Sequence, residues 1–185
     1  LRTQPHVEAA YVKPPATPAN AVIEMIEGLN DMQPLLVEAP VSTPDFSERQ
    51  GYLNPAPEGV DAHFAWNLPG GRGEGVNIID IEGAWNFMHE DLLQNQGGMI
   101  AGSSSPDISW RNHGTAVVGE IGGDHNPYGV QGICPDAHVR AVSIFGNGGT
   151  AHAIYKAANA LNAGDILLIE LHRPGPEATG IGQQG

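Results

Sequence analysis

The chain has 185 residues, with 8 Lys and Arg against 21 Asp and Glu, a formal net charge of −13. That acidic balance excludes nucleic-acid and anionic-membrane binders as classes, because both need basic surface. No apolar run approaches the ~20 residues that span a bilayer. The length allows one domain, or one domain with an arm. Hydrophobic residues at 41% suffice for a core, while 25 Gly and 15 Pro without a period of three imply many loops and exclude collagen.

Prolines recur through the first 57 residues, at 5, 14, 15, 18, 34, 40, 44, 55 and 57. Each removes a backbone donor and fixes φ, so long elements cannot cross them. Residues 1–45 therefore read as a Pro-rich N-terminal arm, and 46–185 as the body. One gap in the arm has room for a helix, with Ile23, Ile26 and Leu29 near helical spacing. A second short helix is expected over 59–66, capped by Asp61.

The pattern sharpens after about residue 72. Gly75-Val-Asn-Ile-Ile-Asp-Ile81 is a short apolar run, the mark of a strand buried on both faces. Residues 113–122 predict a helix, and Val139–Ile144 a second strand. Thr150 opens an Ala-rich helix that Gly164 closes. Asp165–Leu171 predicts a third buried strand. Strands alternating with helices imply an α/β fold: a doubly wound, mostly parallel sheet with helices on both faces. A chain reaching residue 185 soon after its third strand leaves that sheet incomplete, so the rest of the domain is expected on another segment or a second polypeptide.

Cys134 is the only cysteine, which excludes an intrachain disulfide. It reads as a small buried hydrophobe, with a bridge to another chain as the alternative. The chain starts at Leu1 without a visible signal peptide, so it reads as a processed form. Gly70-Gly-Arg-Gly-Glu-Gly75 precedes its strand and lacks the P-loop Lys, so it is a turn rather than a nucleotide loop. The histidines form no His-Glu-x-x-His pattern, so no zinc is expected.

Two residues stand out chemically. Asp80 is a carboxylate inside an apolar strand, an expensive placement unless it is paired. It lies near the strand's C-terminal end, where parallel sheets place ligand sites. The plainer reading is an Asp that ties down a loop. His113 precedes Gly-Thr and an apolar helix, a place also common for a capped surface histidine.

Together these residues resemble a known family. Val76-Asn-Ile-Ile-Asp-Ile-Glu-Gly83 resembles the aspartate motif of subtilisin-like serine proteases, the subtilases, and His89-Glu-Asp-Leu92 the His-Pro-Asp-Leu that follows it. His113-Gly-Thr-Ala-Val-Val-Gly119 is similar to the family's His-Gly-Thr-His-Val-Ala-Gly. Gly129–Pro135 resembles its Gly-Val-x-Gly-Val-Ala-Pro segment, and Asp165–Leu171 takes the place of its Asp-Val-Ile-Asn-Met-Ser-Leu strand. All five motifs occur in the family's order, from about residue 45 to 175.

The resemblance implies the N-terminal part of a serine endopeptidase. His113 would be the general base and Asp80 its orienting acid. The serine would lie beyond these motifs, on a segment or a second chain of the same precursor, because the family order is Asp, His, Ser. Ser103, Ser104 and Ser105 fall between the Asp and His motifs and are not that nucleophile. An extended peptide or protein substrate would lie beside strand edges at Gly148 and Gly149 and at Leu168, Glu170, Leu171 and His172. The family also suggests Ca²⁺, held by the Asp91 carboxylate and Asn126 side chain with the carbonyls of Asp124, Tyr128 and Val130. Family habit places such a protein outside the cytoplasm.

Three departures accompany the resemblance. The acid motif reads Ile81-Glu82-Gly83 where Thr-Gly is usual. The stretch from Asp80 to His89 is about two residues longer than the family pattern. Glu170 and His172 stand where the family has Ser and Gly. They allow an alternative: a catalytically inactive protein of the same fold that binds or inhibits.

Overall fold

The structure is a computed structural model that describes residues 16–18, 43–94, 96–146 and 148–173. The helix expected over 20–30 lies outside these residues. Four parallel strands form the sheet: β2 (Asn77–Glu82), β3 (Gln96–Ala101), β4 (His138–Ser143) and β5 (Ile166–Ile169), in the order β3-β4-β2-β5. A separate two-residue strand, β1 (Thr17–Pro18), pairs antiparallel with β6 (Leu171–His172). The helices are α1 (Ala62–Ala65), α2 (Ile108–Gly122) and α3 (Gly149–Asn159).

Strand β2 is the centre of the sheet, flanked by β4 and β5. Its side chains alternate between two cores. Ile79 and Ile81 pack with Val142, Ile144 and the α3 residues Ala153 and Ala157, joined by Trp110 from the first turn of α2. Ile78 packs with Trp85, Leu92, Val118, Val139 and Ala141, on the α2 side. Each fully buried isoleucine contributes about 1.5–3 kcal/mol. Asp80 and Glu82 share the parity of Ile78, so they face α2. The expected doubly wound arrangement is therefore present, with a helix on each face.

Several expectations need correction. Strand β3 was not predicted: its glycines and exposed Met99 and Ile100 give no buried-strand pattern, because it is an edge strand paired only with β4. The run 165–171 is not one buried strand. It breaks at Glu170, and Ile166 and Ile169 of β5 are about half exposed on the sheet's other edge. Asp61 precedes α1 in a left-handed conformation, φ 60°, without a side-chain cap bond. Helix α3 is preceded by Gly148 at the cap position rather than Thr150, and it ends at Asn159, short of Gly164. Cys134 is partly buried beside the α2-side core.

Candidate active site

Helix α2 begins five residues before the predicted start. Asp107 caps it, accepting from Ser109 N at 2.9 Å. His113 consequently lies in the second turn, on the face that meets β2. Gly114 follows because nothing larger fits. A Cβ there would stand 2.4 Å from the Ala84 carbonyl oxygen and 2.8 Å from the Trp85 ring. Thr115 Oγ1 donates to Arg111 O at 2.6 Å and accepts from Asn86 N at 2.8 Å, fixing the 84–86 loop to the helix.

The decisive contact is between His113 Nδ1 and Glu82 Oε2, 2.8 Å apart. Glu82 is fully buried and the His113 side chain is 12% exposed. The expected pairing of His113 with Asp80 is not what the fold makes. Asp80 Oδ2 instead accepts from Trp85 Nε1 at 2.8 Å, which ties down the loop after β2. The reason is geometric. Residues 80 and 82 share a face, but Asp80 lies about 6.6 Å further from the strand's C-terminal end. Glu82, nearer that end and one methylene longer, reaches the imidazole.

Glu82 is the residue that sequence reasoning missed. The signal was present: taking Glu82 as the motif acid removes the two-residue excess before His89.

Electrostatics set this cluster apart. Burial raises the pKa of Glu82, and Asp80 and then Glu170 raise it further. Burial likewise raises Asp80, against the opposing Trp85 hydrogen bond. Burial lowers His113, Glu170 pulls it back up, and His172 lowers it. Glu170 and His172 thus act on His113 from the β5–β6 end.

The other expected substrate positions lie along that same end. Leu168 is in β5 and Glu170 lies between β5 and β6, both half-buried. Leu171 and His172 form β6, whose edge is taken by Thr17 and Pro18: Thr17 pairs with His172 and Pro18 with Leu171. Gly148 and Gly149, with φ 110° and 61°, turn the chain into α3. Arg173 Nη2 donates to Thr150 Oγ1 at 2.6 Å, joining the start of α3 to the end of β6. Among the described residues no serine hydroxyl pairs with His113.

The expected calcium positions meet only in part. Asp91 is 3% exposed; its Oδ2 accepts from Val130 N at 3.1 Å and its Oδ1 faces Asn126 Nδ2 at 3.4 Å. Asn126 Oδ1 accepts from Tyr128 N at 3.0 Å. Asp124 N donates to Asp91 O at 2.7 Å, while its carboxylate accepts from Leu93 N and Gln94 N. One carboxylate, one amide and one loop converge. Among the described residues no cluster of three His, Cys, Asp or Glu could hold a metal.

This geometry agrees with comparison to known proteins. Residues 76–166, which hold Glu82, His113 and the sheet around them, match the subtilase family. Over this stretch the chain belongs to the subtilase family. It is also 30% identical over 162 residues to the minor extracellular protease Epr of Bacillus subtilis (strain 168), an alignment covering 81% of this chain and 25% of that relative. The chain thus spans about a quarter of the curated relative. The subtilase stretch supplies an acid and a histidine in the family's order, with a glutamate on the histidine.

Proposed function

We propose that this subtilase is a serine endopeptidase in which His113 is the general base and Glu82 the acid that orients it. The observation that carries the reading is the Nδ1 contact to a buried carboxyl. It fixes the tautomer with the proton on Nδ1 and reserves Nε2 for a serine hydroxyl. Nε2 takes the hydroxyl proton as the oxygen attacks the peptide carbonyl, then returns it to the leaving amine. Glu82 stabilises the imidazolium between those steps. The nucleophile comes from a segment or chain of the same precursor that follows these motifs in family order.

The β6 edge supports an extended peptide substrate. It holds β1 antiparallel by backbone bonds, which is the mode of strand addition. Half-buried Glu170 beside it favours basic or polar substrate side chains. Calcium at Asp91 and Asn126 is part of the proposal: an all-oxygen donor set suits a hard cation, and the two side chains already meet. The ion would clamp the 124–130 loop to the segment that follows His89. An extracellular setting follows the relative's name; among the described residues no helix is long and apolar enough to cross a membrane.

A fluorophosphonate probe on the full-length protein tests the reading. Label on a serine outside residues 1–185, abolished by His113→Ala, is expected. Label on this chain, or none on folded protein, overturns it. The second outcome is that of an inactive binding protein, the reading that Glu170 and His172 favour by replacing small residues at the substrate edge. Mass spectrometry of the purified protein reads whether the labelled serine sits on a separate chain.

A further inference from the structure

Asp80 has no part in the reaction proposed above, yet it is a fully buried acid beside another fully buried acid. Strand alternation puts residues 80 and 82 on one face of β2, and each carboxyl perturbs the titration of the other. Each uses one oxygen outward: Asp80 Oδ2 takes the Trp85 N–H, and Glu82 Oε2 takes His113 Nδ1. The remaining oxygens, Asp80 Oδ1 and Glu82 Oε1, are buried without a donor among the described residues.

Two neighbouring carboxylates turned away from water repel strongly, and burial removes the hydration that would offset this. A single proton between them removes one charge and makes an O–H···O⁻ bond, a strong, charge-assisted type. The groups acting on the pair are the Trp85 indole in the following loop, the Ile81 backbone, His113 on α2, and Glu170 between β5 and β6. None is a lysine or arginine, and Glu170 adds further negative charge.

We propose that Asp80 and Glu82 share one proton and act as a single carboxyl–carboxylate unit, so that His113 is backed by one negative charge and Asp80 is a positioning residue. Burial, which raises both acids above the usual carboxylate range, agrees with this. The unit also adapts. When His113 becomes cationic, the proton rests on Asp80 Oδ1 and the full charge on Glu82. When His113 is neutral, the O–H bond can break at Asp80 and form at Glu82 Oε1. The net charge of the pair is −1 throughout. Its consequence for turnover rests on the protease reading; the shared proton does not.

The test uses the full-length protein, with two readouts besides turnover. Infrared spectroscopy at neutral pH should show a protonated-carboxyl carbonyl band that Asp80→Asn removes; absence of the band from wild type overturns the proposal. NMR of ring-labelled histidine should show the His113 pKa unchanged within about 0.3 unit in Asp80→Asn, since an amide keeps a donor toward Glu82 and leaves the charge at −1. If Asp80 were ionised, the same change would delete a charge and lower that pKa by about 1 unit or more, which overturns the proposal. Should Asp80→Asn fail to fold, Trp85→Phe serves. Loss of the indole donor should carry the band to higher pH, and an unmoved band counts against the pair. Band and pKa as expected without turnover would sink the protease reading alone; turnover without the band would sink the shared proton alone.

Discussion

His113 Nδ1 and Glu82 Oε2 meet at 2.8 Å across the interface between helix α2 and strand β2. The contact joins a wholly buried acid to an imidazole that keeps some exposure, 0% against 12%. An imidazole held this way is oriented from inside and open on the outside, and that asymmetry sets what each change at the site should do.

Glu82→Gln keeps the shape and removes the charge. The amide can turn its NH₂ toward Nδ1 and stabilise the wrong tautomer, so kcat should fall by about 10⁴-fold with little change in KM. Steady-state kinetics on a peptide substrate check this. A loss confined to KM would contradict the orienting role.

The acid limb of activity should lie below the ordinary histidine range. Burial depresses the His113 pKa, and the proposed base works as the neutral ring, so activity should persist as pH falls until that lowered pKa is reached. Glu170 opposes the depression. Glu170→Gln should therefore move the limb further toward acid, as read from the pH profile of kcat/KM. A shift toward alkaline pH would contradict this.

Gly114→Ala should lower stability by about 1–3 kcal/mol, because the added methyl meets the Ala84 carbonyl and the Trp85 ring. Denaturant unfolding measures the cost. The same methyl pushes the loop that carries the Trp85 bond to Asp80, so activity per folded molecule should fall as well.

Calcium should raise the thermal midpoint of the full-length protein, and chelation should lower it. Asp91→Asn should remove most of that difference, because the only carboxylate of the proposed donor set is lost. Calorimetry with and without the ion decides. An equal calcium response in the variant would remove Asp91 from the set.

Strand β1 lies on the edge proposed for substrate. A synthetic peptide of residues 12–22 should inhibit competitively, and deletion of residues 1–20 should raise kcat/KM. Unchanged kinetics in both would show that β1 does not compete with substrate.

The sheet's inner strands were legible because burial on both faces leaves an apolar run. Ile78, Ile79 and Ile81 supply it in β2, and Val139, Ala141 and Val142 in β4. Strand β3 was hidden because an edge strand needs no such run. The start of α2 was hidden because Asp107 and Ile108 resemble loop residues until Ser109 closes the cap.

The order of the motifs and the parallel α/β architecture follow from the sequence alone, since spacing and periodicity are properties of the chain, and the resemblance of His113-Gly-Thr to its family motif singled out the histidine. Which acid faces the imidazole was settled only by tertiary structure. Asp80 and Glu82 stand on one face of one strand with the same chemistry. What separates them is one pleat of β2, one methylene and the position of the Trp85 indole, and those are known only when the helix is laid on the sheet.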